Sequence, residues 1–227
     1  TARALFARVL AQVRAAADPA RRRGQHHDDR ARIPGRAAAA ADELAAKYPK
    51  VNVIHHEKNK GYGATLWEGF ITAKFEYVFY TDGDNQFDLE ELRKFVALLP
   101  FSDMVVGYRK KKQYSPYRKL TSFVYNVILR YAFDIDYIDI DCAFKIIKTD
   151  LFKKIKVNTK DAFIDAEIMI RAELLGYTFT ELGVKHLPRV DGVSTAARPS
   201  IIFRTIREII ELRKELKSEI IGRRNKK

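Results

Sequence analysis

From residue 51 onward the chain alternates short apolar runs with longer stretches whose apolar residues recur every three to four positions. The runs Val51-Asn52-Val53-Ile54, Tyr77-Val78-Phe79-Tyr80, Met104-Val105-Val106 and Phe144-Lys145-Ile146-Ile147, with residues 178–186, predict strands. Residues 62–74, 88–98, 117–131, 165–175 and 199–221 carry the helical period. Asp88 is suited to cap the second of these helices, and Gly176 to stop the fourth. In the last helix Ile202, Ile206, Ile209, Leu216 and Ile220 form one stripe, the side expected to pack on the core. Alternating strands and helices predict an α/β fold: one domain over residues 1–227, with a mostly parallel sheet and helices on both faces. Ligands of such sheets sit beyond the carboxyl ends of the strands.

The first 46 residues break the pattern. They hold 16 Ala, 9 Arg and no Lys, whereas all 21 Lys lie from residue 47 onward. Such a shift marks a boundary, a low-complexity segment or a foreign piece. Within it, residues 5–13 read as a helix with Leu5, Val9 and Val13 on one stripe, and residues 37–47 as another. Residues 21–30, rich in Arg and His, have no strand character.

Composition narrows the partners. A formal charge of +13, from 42 Lys+Arg against 29 Asp+Glu, favours nucleic acid, anionic lipid or phosphorylated substrates. One cysteine, Cys142, excludes an intrachain disulfide and fits a reducing compartment. No apolar stretch is long enough to span a bilayer.

The candidate chemistry gathers at predicted strand ends. Asp82-Gly83-Asp84-Asn85-Gln86 follows the Tyr77 strand, and two carboxylates at i and i+2 can turn to one point where the backbone bends at Gly83. Their oxygens suit Mg2+ or Mn2+, although the same residues also make an ordinary turn. A calcium-binding EF-hand loop is excluded, since Phe87 and Arg93 occupy the positions where it needs Gly and Glu. Asn59-Lys60-Gly61-Tyr62-Gly63-Ala64 joins a strand to a helix; it is either a plain glycine turn or a loop whose amides approach a phosphate or ribose. Arg109, Arg118 and Ser122 could converge on a phosphate. Asp165 and Glu167 open a helix, where acidic residues complement the dipole and a general-base role is an alternative. Arg189 and Ser194 lie on a loop after the last strand, which is either a plain surface loop or one that reaches the site.

In order along the chain, these segments resemble the family 2 inverting glycosyltransferases of GT-A fold. The nearest branch is the polyprenyl-phosphate, or dolichol-phosphate-type, mannosyl- and glucosyltransferases. The matching residues are Asn59 to Ala64, Asp82 to Asp88, Gly107-Tyr108-Arg109, Arg118-Lys119-Leu120 with Ser122, Asp141 to Lys145, Phe163 to Glu167, and Arg189 with Gly192 and Ser194. The resemblance implies a nucleotide-sugar-binding, Rossmann-like fold and transfer of a hexose from GDP-mannose or UDP-glucose to a polyprenyl phosphate. It implies that Asp82, Asp84 and Gln86 hold Mg2+ or Mn2+ on the donor diphosphate. Asn59, Gly61 and Gly63 would face the nucleotide, and Arg109, Arg118 and Ser122 the acceptor phosphate. Arg189 and Ser194 would ride the loop that closes over the donor. Asp84, Arg109 and Arg118 would then carry catalysis. The expected location is peripheral, at the cytoplasmic face of an anionic membrane touched by the basic C-terminal helix of residues 199–227.

The chain departs from the family near its start. The family's first apolar strand, ending in a Pro-x-Tyr-Asn-Glu type motif, is missing. Asp28-Asp29 stands about where a second acidic motif belongs but continues Arg30-Ala31-Arg32. Residues 1–46 are therefore expected to be a truncated and partly frame-shifted or mis-assigned segment. Lys145 stands where the family often has Arg, and Val193 and Thr195 flank Ser194 where lysines are common. Two other functions compete: transfer to a glycan hydroxyl, with Asp165 or Glu167 as base, and a basic nucleic-acid-binding module. The latter is disfavoured because the charge is not interleaved with aromatics on one recognisable element.

Overall fold

The structure is a computed structural model that describes residues 9–15, 35–56, 58, 60–83, 85–111, 116–159, 161–188 and 199–224. Its strands are β1 (Val9–Ala15), β2 (Tyr77–Gly83), β3 (Met104–Arg109), β4 (Phe144–Lys148) and β5 (Phe179–Val184). The helices are α1 (Gly35–Lys47), α2 (Tyr62–Ile71), α3 (Leu92–Val96), α4 (Pro116–Phe133), α5 (Leu151–Lys154), α6 (Ile164–Leu174), α7 (Pro199–Glu215) and α8 (Lys217–Arg224).

The five strands form one sheet in the order β1-β2-β4-β3-β5. β1 runs parallel to β2, and β3 to β5, while β4 lies antiparallel between β2 and β3. Four strands thus point one way, but β4, inserted between the two parallel pairs, makes the sheet mixed. The inversion has a use: the start of β4 lies beside the carboxyl ends of β2 and β3, with Lys145 opposite both Tyr80 and Val106.

Tyr77 to Thr81 and Phe144 to Ile147 are buried without alternation, so both faces of the central strands are covered. Phe144 is the hub, with Phe79, Phe87 and Phe95 rings 4.8, 5.5 and 4.9 Å from its own. Phe70 of α2 stacks on Phe152 of α5 at 4.5 Å and meets Tyr80 edge-on. β3 and β4 approach so closely that a Cβ on Gly107 would stand 2.7 Å from the Phe144 carbonyl oxygen. Buried Cys142 fills the space beside it.

Local signals explain the element ends. The Asp88 carboxylate accepts from the Glu90 N–H and caps the turn leading into α3. Gly176, at φ 82°, ends α6 while the Tyr177 N–H reaches back to the Ala172 carbonyl. The predicted final helix forms but is divided at Leu216 into α7 and α8. Ile209, Leu212, Leu216 and Ile220 are its buried stripe, whereas Ile206 faces outward.

Two expectations are corrected. Val51 to Ile54 is not a strand; the sheet position beside β2 is filled by β1. That segment is instead tied to helices by His55 to Asp42 of α1 and His56 to Glu68 of α2. The helix predicted over residues 5–13 is replaced from Val9 by β1; residues 5–8 lie outside the described residues. Its apolar spacing fits either period, and pairing with β2 satisfies one more row of backbone groups.

Candidate active site

The carboxyl edge of β2 and β3 gathers most of the described candidates. Asp82 is the penultimate residue of β2 and Arg109 the last of β3. Beyond Gly83 the backbone turns through Asn85 at φ 58°, a left-handed position that asparagine tolerates. Gln86 is then buried, and its Nε2 donates to the Leu187 carbonyl at 3.0 Å. The Leu187 N–H returns a bond to the Gln86 carbonyl, and Phe87 pairs with His186. Gln86 therefore fastens the turn after β2 to the segment after β5.

Asp165, in the first turn of α6, is the centre of a buried network. Its Oδ2 accepts from the Tyr62 hydroxyl at 2.8 Å and the Tyr80 hydroxyl at 3.1 Å, and the two hydroxyls lie 2.6 Å apart. Its Oδ1 accepts from Lys145 Nζ at 3.1 Å. The side chains of Lys145 and Asp165 are 1% and 8% exposed. Burial, then the charges of Asp165 and Asp82, raise both tyrosine hydroxyls well above their ordinary pKa. Both hydroxyls consequently stay protonated as donors. The network joins α2, β2, β4 and α6, and Tyr62 follows directly on Gly61, whose φ of 88° only glycine adopts readily. Gly63 is buried in the first turn of α2.

A second cluster lies in the loop before β4. Arg109 forks onto Asp139, with Nε at 2.5 Å and Nη2 at 2.6 Å, and its N–H also donates to that carboxylate. Asp141 is pushed up to about 7, first by burial and then by Asp165 and Asp139, against the pull of Arg109 and Lys145. Tyr125 of α4 hydrogen-bonds Asp141, and Asn126 accepts from the Ile140 N–H, so α4 is fastened to this loop. Arg118 and Ser122 are partly buried one turn apart on α4.

Glu167 is built in differently. Its oxygens accept from the backbone N–H groups of Asn158 and Thr159 and from Arg171, and its side chain is 1% exposed. Arg171 also bridges to Glu215, tying α6 to α7. This is the setting of a carboxylate that holds a loop in place.

Asn59, Asp84, Arg189 and Ser194 lie outside the described residues. Among the described residues no group of three or more His, Cys, Asp or Glu is placed to hold a metal ion. The expected ligand set of Asp82, Asp84 and Gln86 includes Asp84. The surroundings nonetheless fit a divalent cation, since the carboxylates of Asp82, Asp139, Asp141 and Asp165 outnumber the cations Arg109 and Lys145. Asp141 is raised first by its burial and only then by the neighbouring carboxylates of Asp165 and Asp139.

Sequence reasoning passed over Tyr62, Tyr80, Tyr125 and Asp139. The tyrosines sit inside apolar patterns that hide a hydroxyl's role. The usable signal was Lys145, a charge within an otherwise apolar strand, which demands a buried partner.

A family model described as Glycosyl transferase family 2 matches residues 28–156. The chain is 31% identical over 128 residues to the uncharacterized protein MJ0544 of Methanocaldococcus jannaschii, covering 50% of this chain and 56% of that protein. It is 22% identical over 165 residues to the undecaprenyl-phosphate mannosyltransferase of Micrococcus luteus, covering 68% of each. The chain thus spans about half the length of the first of these relatives. Its fold matches that of glucosyl-3-phosphoglycerate synthase from Mycobacterium tuberculosis, solved with Mn2+ and UDP-glucose. The TM-score is 0.61 at 14% identity, over 94% of this chain and 83% of that one. The fold is therefore the GT-A fold.

Proposed function

The chain belongs to glycosyl transferase family 2, and from that premise we propose that it transfers a hexose from a nucleotide-diphosphate sugar to a polyprenyl phosphate, with inversion. The relative from Micrococcus luteus supports the acceptor class, and the Mycobacterium tuberculosis neighbour supports a nucleotide-sugar donor. GDP-mannose and UDP-glucose are the donors to test.

The observation that carries the acceptor choice is the fate of the two candidate bases. Glu167 is spent on backbone amides and Arg171, and Asp165 on Lys145 and two tyrosine hydroxyls. A sugar hydroxyl acceptor needs a base to remove its proton. A phosphate monoester, with a second pKa of about 6, is already ionised at neutral pH and does not. With Asp165 and Glu167 both committed to structure, the site suits the phosphate.

In this account Gly61 and Gly63 let the α2 amides approach the donor, with Asn59 beside them. Tyr62, bonded to Asp165, holds that loop against the end of β2. Asp82, Asp84 and Gln86 would hold Mg2+ or Mn2+, which when bound neutralises the departing nucleotide diphosphate. Arg118 and Ser122 face the acceptor phosphate. Arg109, forked onto Asp139, orders the loop before β4 and meets the phosphate only through the edge turned away from that carboxylate. Arg189 and Ser194, outside the described residues, would contact the donor by the family resemblance. The remaining catalysis is positioning of an ionised nucleophile against the anomeric carbon.

The test is a thermal-shift panel of nucleotide sugars with Mn2+. A donor at a hundred times its Kd should stabilise the fold by about 2.7 kcal/mol. One of GDP-mannose and UDP-glucose is expected to raise the melting temperature, and EDTA to abolish the rise. No shift with any nucleotide sugar would overturn the proposal.

A further inference from the structure

We propose that a cleft between α6, the start of β5 and α8 binds a neutral sugar, at a second site away from the chemistry. The cleft holds about 670 Å3, within the range of small-molecule sites. Glu173 of α6, Tyr177 and Phe179 at the start of β5, and Glu219 and Arg223 of α8 line it. Register sets it apart from the candidate active site. Phe179 lies opposite Met104, where β3 begins, whereas Val184 lies opposite Arg109, where β3 ends. Five residue rises of about 3.3 Å put roughly 17 Å between the two ends of β5. The transfer reaction gives the residues of the cleft no task.

The polar atoms of the cleft are incompletely paired. Arg223 Nη2 donates to Glu173 Oε2 and joins α8 to α6. The other arm of that ion pair stays open. Glu173 Oε1 and Arg223 Nη1 are both buried, and neither has a hydrogen-bond partner among the described residues. The Glu173 side chain is only 4% exposed. The Tyr137 hydroxyl faces the same carboxylate, and burial first, then Glu173, raise it well above its ordinary pKa. It too closes no hydrogen bond of ordinary geometry among the described residues. Buried polar groups are paired in nearly all native structures. An acceptor and a donor left open within one ion pair call for a ligand that satisfies both.

Charge and shape select its chemistry. Two carboxylates, Glu173 and Glu219, stand against one guanidinium, Arg223, and that balance repels phosphates and other anions. Lys154, beside Tyr177, is already bonded to Asp150. A metal ion fits no better, because no three His, Cys, Asp or Glu side chains among the described residues are placed to hold one. An alkylammonium would meet Glu173 but leave the Arg223 donor unmet. A hydroxyl both donates and accepts, so a single hydroxyl can bridge Glu173 Oε1 and Arg223 Nη1. A ring of adjacent hydroxyls can reach Glu219 as well, while its C–H face meets the half-buried rings of Tyr177 and Phe179. Phe179 is held for such a contact by Tyr137, stacked on it at 4.3 Å. α8 leaves room at Gly222, where an added Cβ would meet no described atom within 4 Å.

Saturation-transfer NMR with methyl α-mannoside, methyl α-glucoside and maltotriose tests the inference. At least one of these sugars should receive saturation from the protein, and neither inorganic phosphate nor putrescine in tenfold excess should displace it. Stronger transfer to maltotriose supports the cleft as a holder of a glycan chain, and equal transfer supports it as a holder of one sugar unit. Gly222→Leu fills the open space and should weaken binding at least tenfold. Leucine favours a helix over glycine, so the melting temperature should not fall. Arg223→Lys keeps a charge beside Glu173 but loses the second arm of the fork, and should weaken binding at least threefold. GDP-mannose or UDP-glucose with Mn2+ should leave the signal unchanged, because the catalytic edge lies at the far end of β5. No transfer to any of the sugars, with ordered water as the only occupant, would overturn the proposal. So would displacement by the nucleotide sugar, by phosphate or by putrescine, or binding undiminished in both variants. Binding is read without turnover, so a protein that transfers no hexose can still carry this site, and failure here leaves the proposed activity intact.

Discussion

Replacing Asp141 by Asn should stabilise the protein, increasingly so as pH rises from about 4 to 7. The carboxyl group is buried beside Asp139 and Asp165, with Arg109 and Lys145 compensating incompletely, and its pKa is about 7 against an ordinary 3.8. Below about pH 4 it is protonated in folded and unfolded chains alike and imposes no cost. Between about pH 4 and 7 the unfolded chain releases the proton and the folded one retains it. Stability therefore falls with rising pH, by about 1.4 kcal/mol per unit. Above pH 7 the full difference of roughly three units, about 4 kcal/mol, weighs against the fold. Asn is nearly isosteric, and its oxygen can still accept from Tyr125. Urea unfolding of parent and Asp141→Asn at intervals from pH 4 to 8.5 reads the difference directly. The two should be equal near pH 4 and diverge toward about 4 kcal/mol at pH 8, the variant being more stable. A difference that stays constant across this range would refute the buried, proton-retaining carboxyl of Asp141.

Three further outcomes follow from the same contacts. Lys145→Met should cost about 3–5 kcal/mol in urea unfolding, because it strands Asp165 as a buried charge, while Lys145→Arg should cost much less. Glu167→Gln should cost about 1–3 kcal/mol through weakened bonds to Asn158, Thr159 and Arg171. Its folded fraction should keep the parental pH–rate profile; a collapse of kcat with unchanged stability would restore Glu167 as a base. Asp82→Asn should abolish the Mn2+-dependent thermal shift by the donor without lowering the melting temperature of the unliganded protein, and a retained shift would remove Asp82 from the metal site.

The strands and helices beyond residue 60 were legible because their apolar periods are strong and their ends carry explicit signals such as Asp88 and Gly176. The α/β class and the gathering of Asp82 and Arg109 at one sheet edge followed from the same alternation. The reversed direction of β4 was not legible. A five-residue buried strand is apolar whichever way it runs, and direction is set by the loop of Asp139 to Ala143, which wraps around Arg109. Val51 to Ile54 misled because β-branched residues fit a strand, yet strand propensity depends on context more than helix propensity does. The network around Asp165 was hidden for a related reason: Tyr62 and Tyr80 satisfy the apolar pattern with their rings while their hydroxyls do polar work.

The most direct test of the central claim is nucleotide release by the chain given GDP-mannose or UDP-glucose, a polyprenyl phosphate and Mn2+, with each component omitted in turn. The account predicts release that requires donor, lipid phosphate and metal together, with the hexose recovered on the lipid phosphate in inverted configuration. Release that proceeds equally with a polyprenyl alcohol or a glycan in place of the phosphate, or that survives EDTA, would contradict it.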